Sequence, residues 1–434
     1  MTYSARIFCL LILFGAVFGE RELAADERPP NIVFILADDV GKEVLGCYGG
    51  ETYHTPRLDA LAKSGLRFEH CYSMPVCHPT RVCLLTGKYP FQLGNPRWGS
   101  FPAAMESHTI AQQLKSAGYE TAISGKWQLT LLGEDLRHPN RLGFDSYCLF
   151  GWHQGPRYFE PMIFEDGALR QDTGGAYGPD LYVDYLIDFF QENRDRPFFA
   201  FYSMSLCHDV TDDLDQPVPH GPDGRYENYV EMVASMDLHV GRIVDALDKL
   251  SLRQNTLILF STDNGTPKTY IARAEGDNLI RIPVISRRGG QDVPGGKGEL
   301  TDGGTAVPTI ASWPGSVRSN STTRALVDFC DLLPTFLELA GVRSVDSAGD
   351  YPGRSFTNVL HDPKEKGRDW VFAEGRGRYW LRNAQWKLYS DGRFFDMEND
   401  PLENSPLDDT SLGKKGRRNH EFLISATREL RRDQ

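Results

Sequence analysis

Cys77-His78-Pro79-Thr80-Arg81 gathers several reactive residue types of this 434-residue chain into five positions. Proline two places after the cysteine is tolerated in the first turn of a helix, where the amide it lacks has no intrahelical partner, so the sulfur is expected just ahead of a helix start. Free amides, the helix dipole and Arg81 all favour an anion at that spot, which describes an activated thiol or an oxyanion site. A buried structural cysteine that happens to precede a helix fits the same five residues equally well.

Two acidic clusters, Asp38-Asp39 and Asp263-Asn264, each follow an apolar run. Their donors are all oxygen, which suits a hard divalent cation such as calcium or magnesium and disfavours zinc. One Asp-Asp pair after a strand is more often a turn or a helix cap, but two clusters converging on one sheet edge favour a metal. A cation there neutralises an anionic substrate oxygen and lowers the pKa of a bound hydroxyl. Arg81, Lys126 and Lys297 supply positive charge for clamping a tetrahedral oxyanion. His208, whose ordinary pKa lies near neutrality, suits a general acid for a leaving alcohol.

These side chains need a common scaffold. Asn31–Ala37 (NIVFILA) is an apolar run of strand length, as expected of a strand buried on both faces of a parallel sheet. The same grammar recurs where Leu257–Phe260 precedes Asp263, Tyr119–Ser124 precedes Gly125-Lys126, and Pro197–Met204 runs toward His208. Helical patterns at Leu58–Lys63, Thr109–Ala117 and Tyr229–Leu250 lie between them. In the last, Val230, Val233, Val240, Ile243, Val244 and Leu247 repeat at helical spacing. Alternating strands and helices predict a doubly wound α/β domain, a large mixed or mostly parallel sheet sandwiched by helices, with ligands beyond the carboxyl ends of the strands.

The glycine-rich stretch Gly289–Gly304 places Gly298 after Lys297 and so fails the phosphate-loop pattern; it reads as a flexible loop closing over the site. Val327–Ala340 reads as a helix ended by Gly341. From about residue 345 the texture changes. Strand candidates at Trp370–Ala373, Tyr379–Leu381 and Trp386–Tyr389, a turn at Asp391-Gly392 and a helix at Glu421–Arg432 predict a smaller C-terminal α+β subdomain with a short antiparallel sheet. Lys414, Lys415, Arg417 and Arg418 read as a solvated tail.

A net charge of −12 argues against nucleic acid or an anionic membrane surface as the main partner, while leaving room for a local cationic pocket. Arg6 and the apolar run Ile7–Gly19 read as a signal peptide over residues 1–19, too short for a comfortable membrane span, so a secreted or periplasmic protein with no stable membrane anchor is expected. A linker over 20–30, a catalytic domain over 31–344 and the subdomain over 345–434 complete the expected division. Of eight cysteines, Cys9 falls in the signal peptide. Cys47, Cys71, Cys83, Cys148, Cys207 and Cys330 lack the dense spacing of a disulfide scaffold, and no Cys-x-x-Cys motif is present.

The run CHPTRVCLLTGKYP from Cys77 to Pro90 resembles the signature of the type I sulfatases of the alkaline phosphatase superfamily. NIVFILADD, TPRLDALAKSGLRF, GKW at Gly125–Trp127, STDNG at Ser261–Gly265, GGKGELTDGGTAVP at Gly295–Pro308 and the C-terminal WKLY and FFDMENDPLENS extend the likeness along nearly the whole chain after the signal peptide. The resemblance implies that a maturation enzyme oxidises Cys77 to formylglycine. It implies a calcium site, with magnesium less favoured, from Asp38, Asp39, Asp263, Asn264 and the modified residue 77, and Arg81, Lys126, His208 and Lys297 around the sulfate. In the implied mechanism the hydrated aldehyde attacks sulfur, His208 protonates the leaving alcohol, and the second hydroxyl expels sulfate as the aldehyde re-forms.

Three positions depart from the family pattern: Asp209 for the proline after the histidine, Asp302 for a glutamate, and Gln128 for a histidine two places after the lysine of GKW. Glutamine hydrogen-bonds but is no base near neutral pH, so either sulfate release is slowed or another base, such as His153 or a metal-acidified hydroxyl, takes over. Three functions stay open on this reading. The first is a sulfatase acting on a sulfated small molecule or glycan, with Trp98, Trp152 and Tyr158 as sugar-stacking candidates. The second is a phosphonate or phosphodiester hydrolase of the same fold, and the third a weak pseudoenzyme that binds sulfated glycans.

Overall fold

A computed structural model describes residues 28–151, 154–209, 228–275, 278–342, 351–408 and 412–432. The expected signal peptide, Trp152 and His153 lie outside the described residues. Strands β1 (Asn31–Ala37), β2 (Leu66–Tyr72), β3 (Glu120–Trp127), β4 (Ser146–Gly151), β5 (Ile163–Glu165), β6 (Ala168–Leu169), β7 (Phe198–Ser203) and β8 (Thr256–Thr262) are followed by two hairpins. These are β9 (Thr269–Glu275) with β10 (Asn278–Pro283), and β11 (Ile285–Arg288) with β12 (Gln291–Pro294). Strands β13 (Ala306–Ser312) and β14 (Ser321–Asp328) then complete a ten-stranded sheet in the order β14-β2-β13-β8-β1-β7-β3-β4-β5-β6.

The centre of the sheet is parallel: β1 pairs with β8 and β7, and β7 with β3. Strand β13 runs antiparallel to both β8 and β2, which makes the sheet mixed. All seven residues of β1 are buried. Ile32, Phe34 and Leu36 join one apolar cluster and Val33, Ile35 and Ala37 another, so helices cover both faces, as the unbroken apolar run requires.

Three expectations are corrected. In the helix Tyr229–Lys249, Met232, Val233, Met236, Val240, Ile243 and Leu247 are buried, but Val230 is 58 % exposed. It lies roughly 100° round the helical wheel from the centre of that stripe. The segment Val327–Ala340 begins as strand, because Val327 pairs with Cys71 and Asp328 with Tyr72; the α-helix runs only Leu332–Leu339. The basic residues from Lys414 to Arg418 open a helix, Lys414–Leu430, and are not a tail.

The glycine-rich stretch is also less free than expected. It contains β12 and a short helix Asp302–Thr305, and the Lys297 and Gly298 amides donate to the Thr266 and Pro75 carbonyls at 2.9 and 2.8 Å. A Cβ on Gly265 would stand 1.9 Å from the Gly303 carbonyl oxygen, so only glycine lets this stretch pack against the end of β8.

The C-terminal sheet, β15 (Val371–Gly375), β16 (Arg378–Arg382), β17 (Trp386–Tyr389) and β18 (Phe394–Asp396), is antiparallel throughout. Its apolar residues Phe372, Trp380 and Leu381 belong to the same cluster as Phe34, and Trp380 meets Tyr72 edge to face at 5.4 Å. Asp302 forms the polar joint. It accepts from Arg382 at 2.8 Å and Lys387 at 3.0 Å, and Lys387 also donates to Glu403 at 2.8 Å. Burial alone would raise the Asp302 pKa, but Lys387 and Arg382 hold it well below its ordinary 3.8.

Asp302→Asn is expected to destabilise the fold by about 2–3 kcal/mol, because it leaves buried cations underpaired. A carboxylate with a depressed folded pKa contributes stability above its unfolded pKa and loses it as pH falls through the folded value. The stability gap between wild type and Asp302→Asn, read by denaturant unfolding, should therefore be full at pH 6–7 and shrink below about pH 4. A pH-independent gap would remove this role from the carboxylate.

Candidate active site

The carboxyl ends of four neighbouring strands, β8, β1, β7 and β3, set the site. Strand β1 ends into Asp38 and Asp39, β8 into Asp263 and Asn264, and β7 leads to His208, while Lys126 lies within the last turn of pleat of β3 with Gln128 just beyond. The in-register pairs Ala37 with Thr262 and Gly125 with Ser203 bring these ends level. Asp39 has a positive φ of 62°, a conformation that costs a non-glycine residue about 1–2 kcal/mol and marks a position fixed by its surroundings.

The helix Cys77–Thr86 brings the fifth component. Cys77 is its first residue, with Val76 as the cap, one place further into the helix than its proline pattern suggests. Thr80 ties this start to the sheet: its hydroxyl donates to the Asp263 carbonyl at 2.8 Å and also reaches the Met74 and Val76 carbonyls at 3.1 Å. Of the two readings left open for Cys77, an activated thiol and a buried cysteine, burial decides against the first. Cys77 is wholly buried, and burial pushes its pKa up despite the pull of Lys126, with Asp38 adding to the rise. As a thiol it keeps its proton.

The charges are interleaved. Lys126 donates to Asp38, Arg81 to Asp263 at 2.7 Å, and Lys297 to Asp39 at 2.6 Å. Arg81 also donates to the Ser203 hydroxyl, which in turn donates to the Lys126 carbonyl at 2.7 Å. Three carboxylates thus face three cations, all buried but Lys297, whose side chain is 20 % exposed. Burial favours a neutral Asp38, yet Lys126, His208, Arg81 and Lys297 together hold its pKa far down, whereas burial leaves Asp39 and Asp263 raised. A divalent cation would draw those two back to the charged form.

The donor set fits such a cation. Asp38, Cys77 and Asp263 each offer a ligand atom within 4.8 Å of the others. Asp38 Oδ1 and Asn264 Oδ1 are buried without a hydrogen-bond partner, and Asn264 donates its amide to Asp39 at 2.8 Å, which aims its oxygen elsewhere. Sulfur is the odd donor among these oxygens. The Cys77 Sγ stands where an oxygen of the oxidised residue would lie, and that exchange would make the set uniformly hard.

His208 Nδ1 faces the Asp209 carbonyl at 2.9 Å, so Nδ1 carries the proton and Nε2, 3.9 Å from Asp39 Oδ2, is the free nitrogen. Burial and Lys297 lower its pKa well below 6.5. Gln128 is 1 % exposed, and among the described residues neither its Nε2 nor its Oε1 has a partner.

Several residues take roles that the sequence did not assign to them. Tyr158 is buried and donates to the Ser205 carbonyl at 2.8 Å and to the His208 carbonyl, so it positions the histidine segment and is unavailable for stacking on a sugar. Asp209, where the proline was expected, accepts from Arg281 at 3.2 Å, and burial lifts it to about 6. Ser203 and Thr80 act through hydroxyls that any strand or helix might carry. Trp98 stays 44 % exposed and stacks on His78 at 6.2 Å.

A sequence model of the sulfatase family matches residues 30–342. Among curated proteins, N-acetylgalactosamine-6-sulfatase of Rattus norvegicus is 32 % identical over 354 residues, covering 74 % of this chain and 64 % of that protein. Arylsulfatase A of Homo sapiens is 31 % identical over 347 residues, covering 72 % and 64 %. The chain therefore spans just under two-thirds of the length of these relatives. A solved protein in complex with its substrate D-glucosamine-2-N,6-O-disulfate superposes with a TM-score of 0.72 at 22 % identity, covering 94 % of this chain and 99 % of that one, a likeness of fold.

Calcium added to metal-stripped protein is expected to raise Tm, with about 2.7 kcal/mol gained at a hundredfold excess over Kd. Asp263→Asn should abolish the shift. An unchanged Tm up to millimolar calcium would remove the cation from this site.

Proposed function

This chain belongs to the sulfatase family, and on that premise we propose that it hydrolyses a sulfate ester, carried on a carbohydrate, at the buried cluster around residue 77. The observation that carries the reading is the charge balance there. Three carboxylates and three cations cancel, so a bound divalent cation leaves a net surplus of two positive charges, enough to attract a sulfate monoanion but contained within a protein of net charge −12. The relatives named for N-acetylgalactosamine-6-sulfate support the carbohydrate part.

Formylglycine made from Cys77 by a maturation enzyme would supply an electrophilic carbon whose hydrate is the nucleophile. Calcium, held by Asp38, Asp39, Asp263, Asn264 and residue 77, would supply Lewis acidity to a sulfate oxygen. The chain's own residues do the rest. Arg81, Lys126 and Lys297 clamp the sulfate oxygens and stabilise the charge that grows on them during transfer. His208 is neutral in the free site, and an arriving anion favours its protonation at Nε2, the nitrogen that then donates to the leaving alcohol. The Asp209 carbonyl and the Tyr158 hydroxyl hold the histidine segment in that orientation. The apolar run near the N-terminus fits delivery to the periplasm or the exterior. Among the described residues no helix is long and apolar enough to cross a membrane.

Gln128 tunes the last step. Its buried amide would hydrogen-bond the oxygens of an oxidised residue 77 but would remove no proton at neutral pH, which makes release of sulfate from the enzyme the slow step on this reading.

Natively produced protein should show residue 77 as formylglycine by peptide mass and should hydrolyse sulfate esters in preference to matched phosphate and phosphonate esters. The reverse preference would assign the alternative hydrolase, and binding without turnover in modified protein a glycan-binding role. His208→Ala should lose about 10²–10⁴-fold in kcat on alkyl sulfates and much less on an activated aryl sulfate, whose leaving group needs no proton. Intact mass during turnover should reveal a sulfate adduct that diminishes in Gln128→His. Full turnover with no adduct would assign sulfate release to another base.

A further inference from the structure

The hairpin between β15 and β16 turns on Arg376-Gly377, and both residues have positive φ, 52° and 74°. Gly375 pairs with Arg378, so this is the two-residue loop that requires left-handed conformers at both central positions and is normally built from Asn-Gly or glycines. Arginine at the first position carries backbone strain of about 1 kcal/mol. Among the described residues neither Arg376 nor Arg378 forms an ion pair, and both are exposed.

The tip packs against segments that flank active-site residues in sequence. A Cβ on Gly375 would stand 2.8 Å from Pro75 Cγ, two residues before Cys77, and Arg376 Nη2 lies 3.9 Å from where a Cβ on Gly298 would begin, beside Lys297. A cleft of about 650 Å³ opens here, lined by His78, Trp98, Arg376, Arg378, Tyr379 and Arg431 among others. Arg431 is held over the rings of Phe91 and Tyr379 at 4.6 and 4.5 Å. The cleft's carboxyl, Glu374, is occupied in accepting from the Phe91 amide at 2.7 Å. Three guanidiniums and Trp98, which is 44 % exposed, thus border a space lined also by Val76 and His78, the neighbours of Cys77 in sequence.

We propose that this cleft binds a second anionic unit of a sulfated saccharide chain, next to the unit whose ester is cleaved. Arg376 and Arg378 grip its sulfate or carboxylate, and Trp98 packs against its ring. Guanidinium forks suit such oxyanions, and an aromatic face suits the apolar face of a sugar. The substrate class is then an oligosaccharide charged on more than one residue. The inference rests on the sulfatase reading for its orientation but not for its binding chemistry.

The test compares wild type with Arg376→Gly and Arg376→Gly/Arg378→Gln. Glycine relieves the positive φ, so Tm should stay level or rise, which separates a binding loss from a folding loss. Probes are 4-nitrophenyl sulfate and tetrasaccharides from chondroitin sulfate, heparin and carrageenan, each with its desulfated counterpart. Wild type should bind at least one sulfated tetrasaccharide in a salt-sensitive way, measured by calorimetry. The double variant should weaken that binding at least tenfold and leave kcat/KM on 4-nitrophenyl sulfate unchanged. Equal tetrasaccharide binding by wild type and double variant would overturn the proposal, as would wild type that hydrolyses the aryl sulfate yet binds no tetrasaccharide. Arginine-dependent binding in formylglycine-bearing protein that hydrolyses nothing would uphold the cleft and sink the catalytic reading.

Discussion

Everything in this structure answers to one constraint: six formal charges are gathered at the carboxyl edge of a sheet with little water to solvate them, and of these only Lys297 keeps its side chain as much as 20 % exposed. Asp38, Asp39 and Asp263 are 0–1 % exposed, and Arg81 and Lys126 only 3 and 2 %. An isolated ion moved there would cost many kcal/mol, so each charge must meet its opposite at hydrogen-bond range and keep that geometry. The pairings Lys126 with Asp38, Arg81 with Asp263 and Lys297 with Asp39 accomplish this, and each joins elements distant in sequence.

The scaffold follows from that requirement. Adjacent parallel strands end at the same level, so β8, β1, β7 and β3 deliver acids, a lysine and the histidine segment to one edge without any loop having to span it. The helix starting at Cys77 is pinned by Thr80, and the Lys297 stretch by close backbone contact between Gly265 and Gly303. The C-terminal sheet then closes the outside through Asp302, Arg382 and Lys387, which places its first hairpin beside the stretch that carries Lys297. A member of the sulfatase family built in this way has a rigid charged centre, and its more exposed surroundings, the hairpin tip and Trp98, are free to differ without disturbing it.

Much of this was legible in the chain. Period and apolar runs identified β1, β7, β8, the helix at Pro56–Lys63 and the C-terminal strands, because burial on one or both faces is written directly into the pattern. Boundaries were less legible: Val327 and Asp328 belong to a strand and Val230 faces solvent, since both depend on neighbours that a local period does not register. The choice between an activated and a buried Cys77 thiol stayed open for the same reason. Helix-dipole and arginine arguments are local, whereas burial depends on everything packed around the sulfur and here outweighs them.

The sequence by itself determined which chemistry is available: a cysteine in a helix-start pattern, oxygen donors at strand ends, three cations and a histidine, all fixed by residue type and by the periodicity that makes strands end where they do. Tertiary structure alone decided which cation meets which acid, that Gln128 is sealed in with both amide atoms unpartnered among the described residues, that Tyr158, open between core and sugar platform in the sequence, is buried and holds the His208 segment, and that Arg376 arrives near Gly298, next to Lys297. Those are contacts between residues up to some 260 positions apart. Residue type sets what a group can do, but the dielectric and the partners that decide whether it does so exist only once the chain has closed around it.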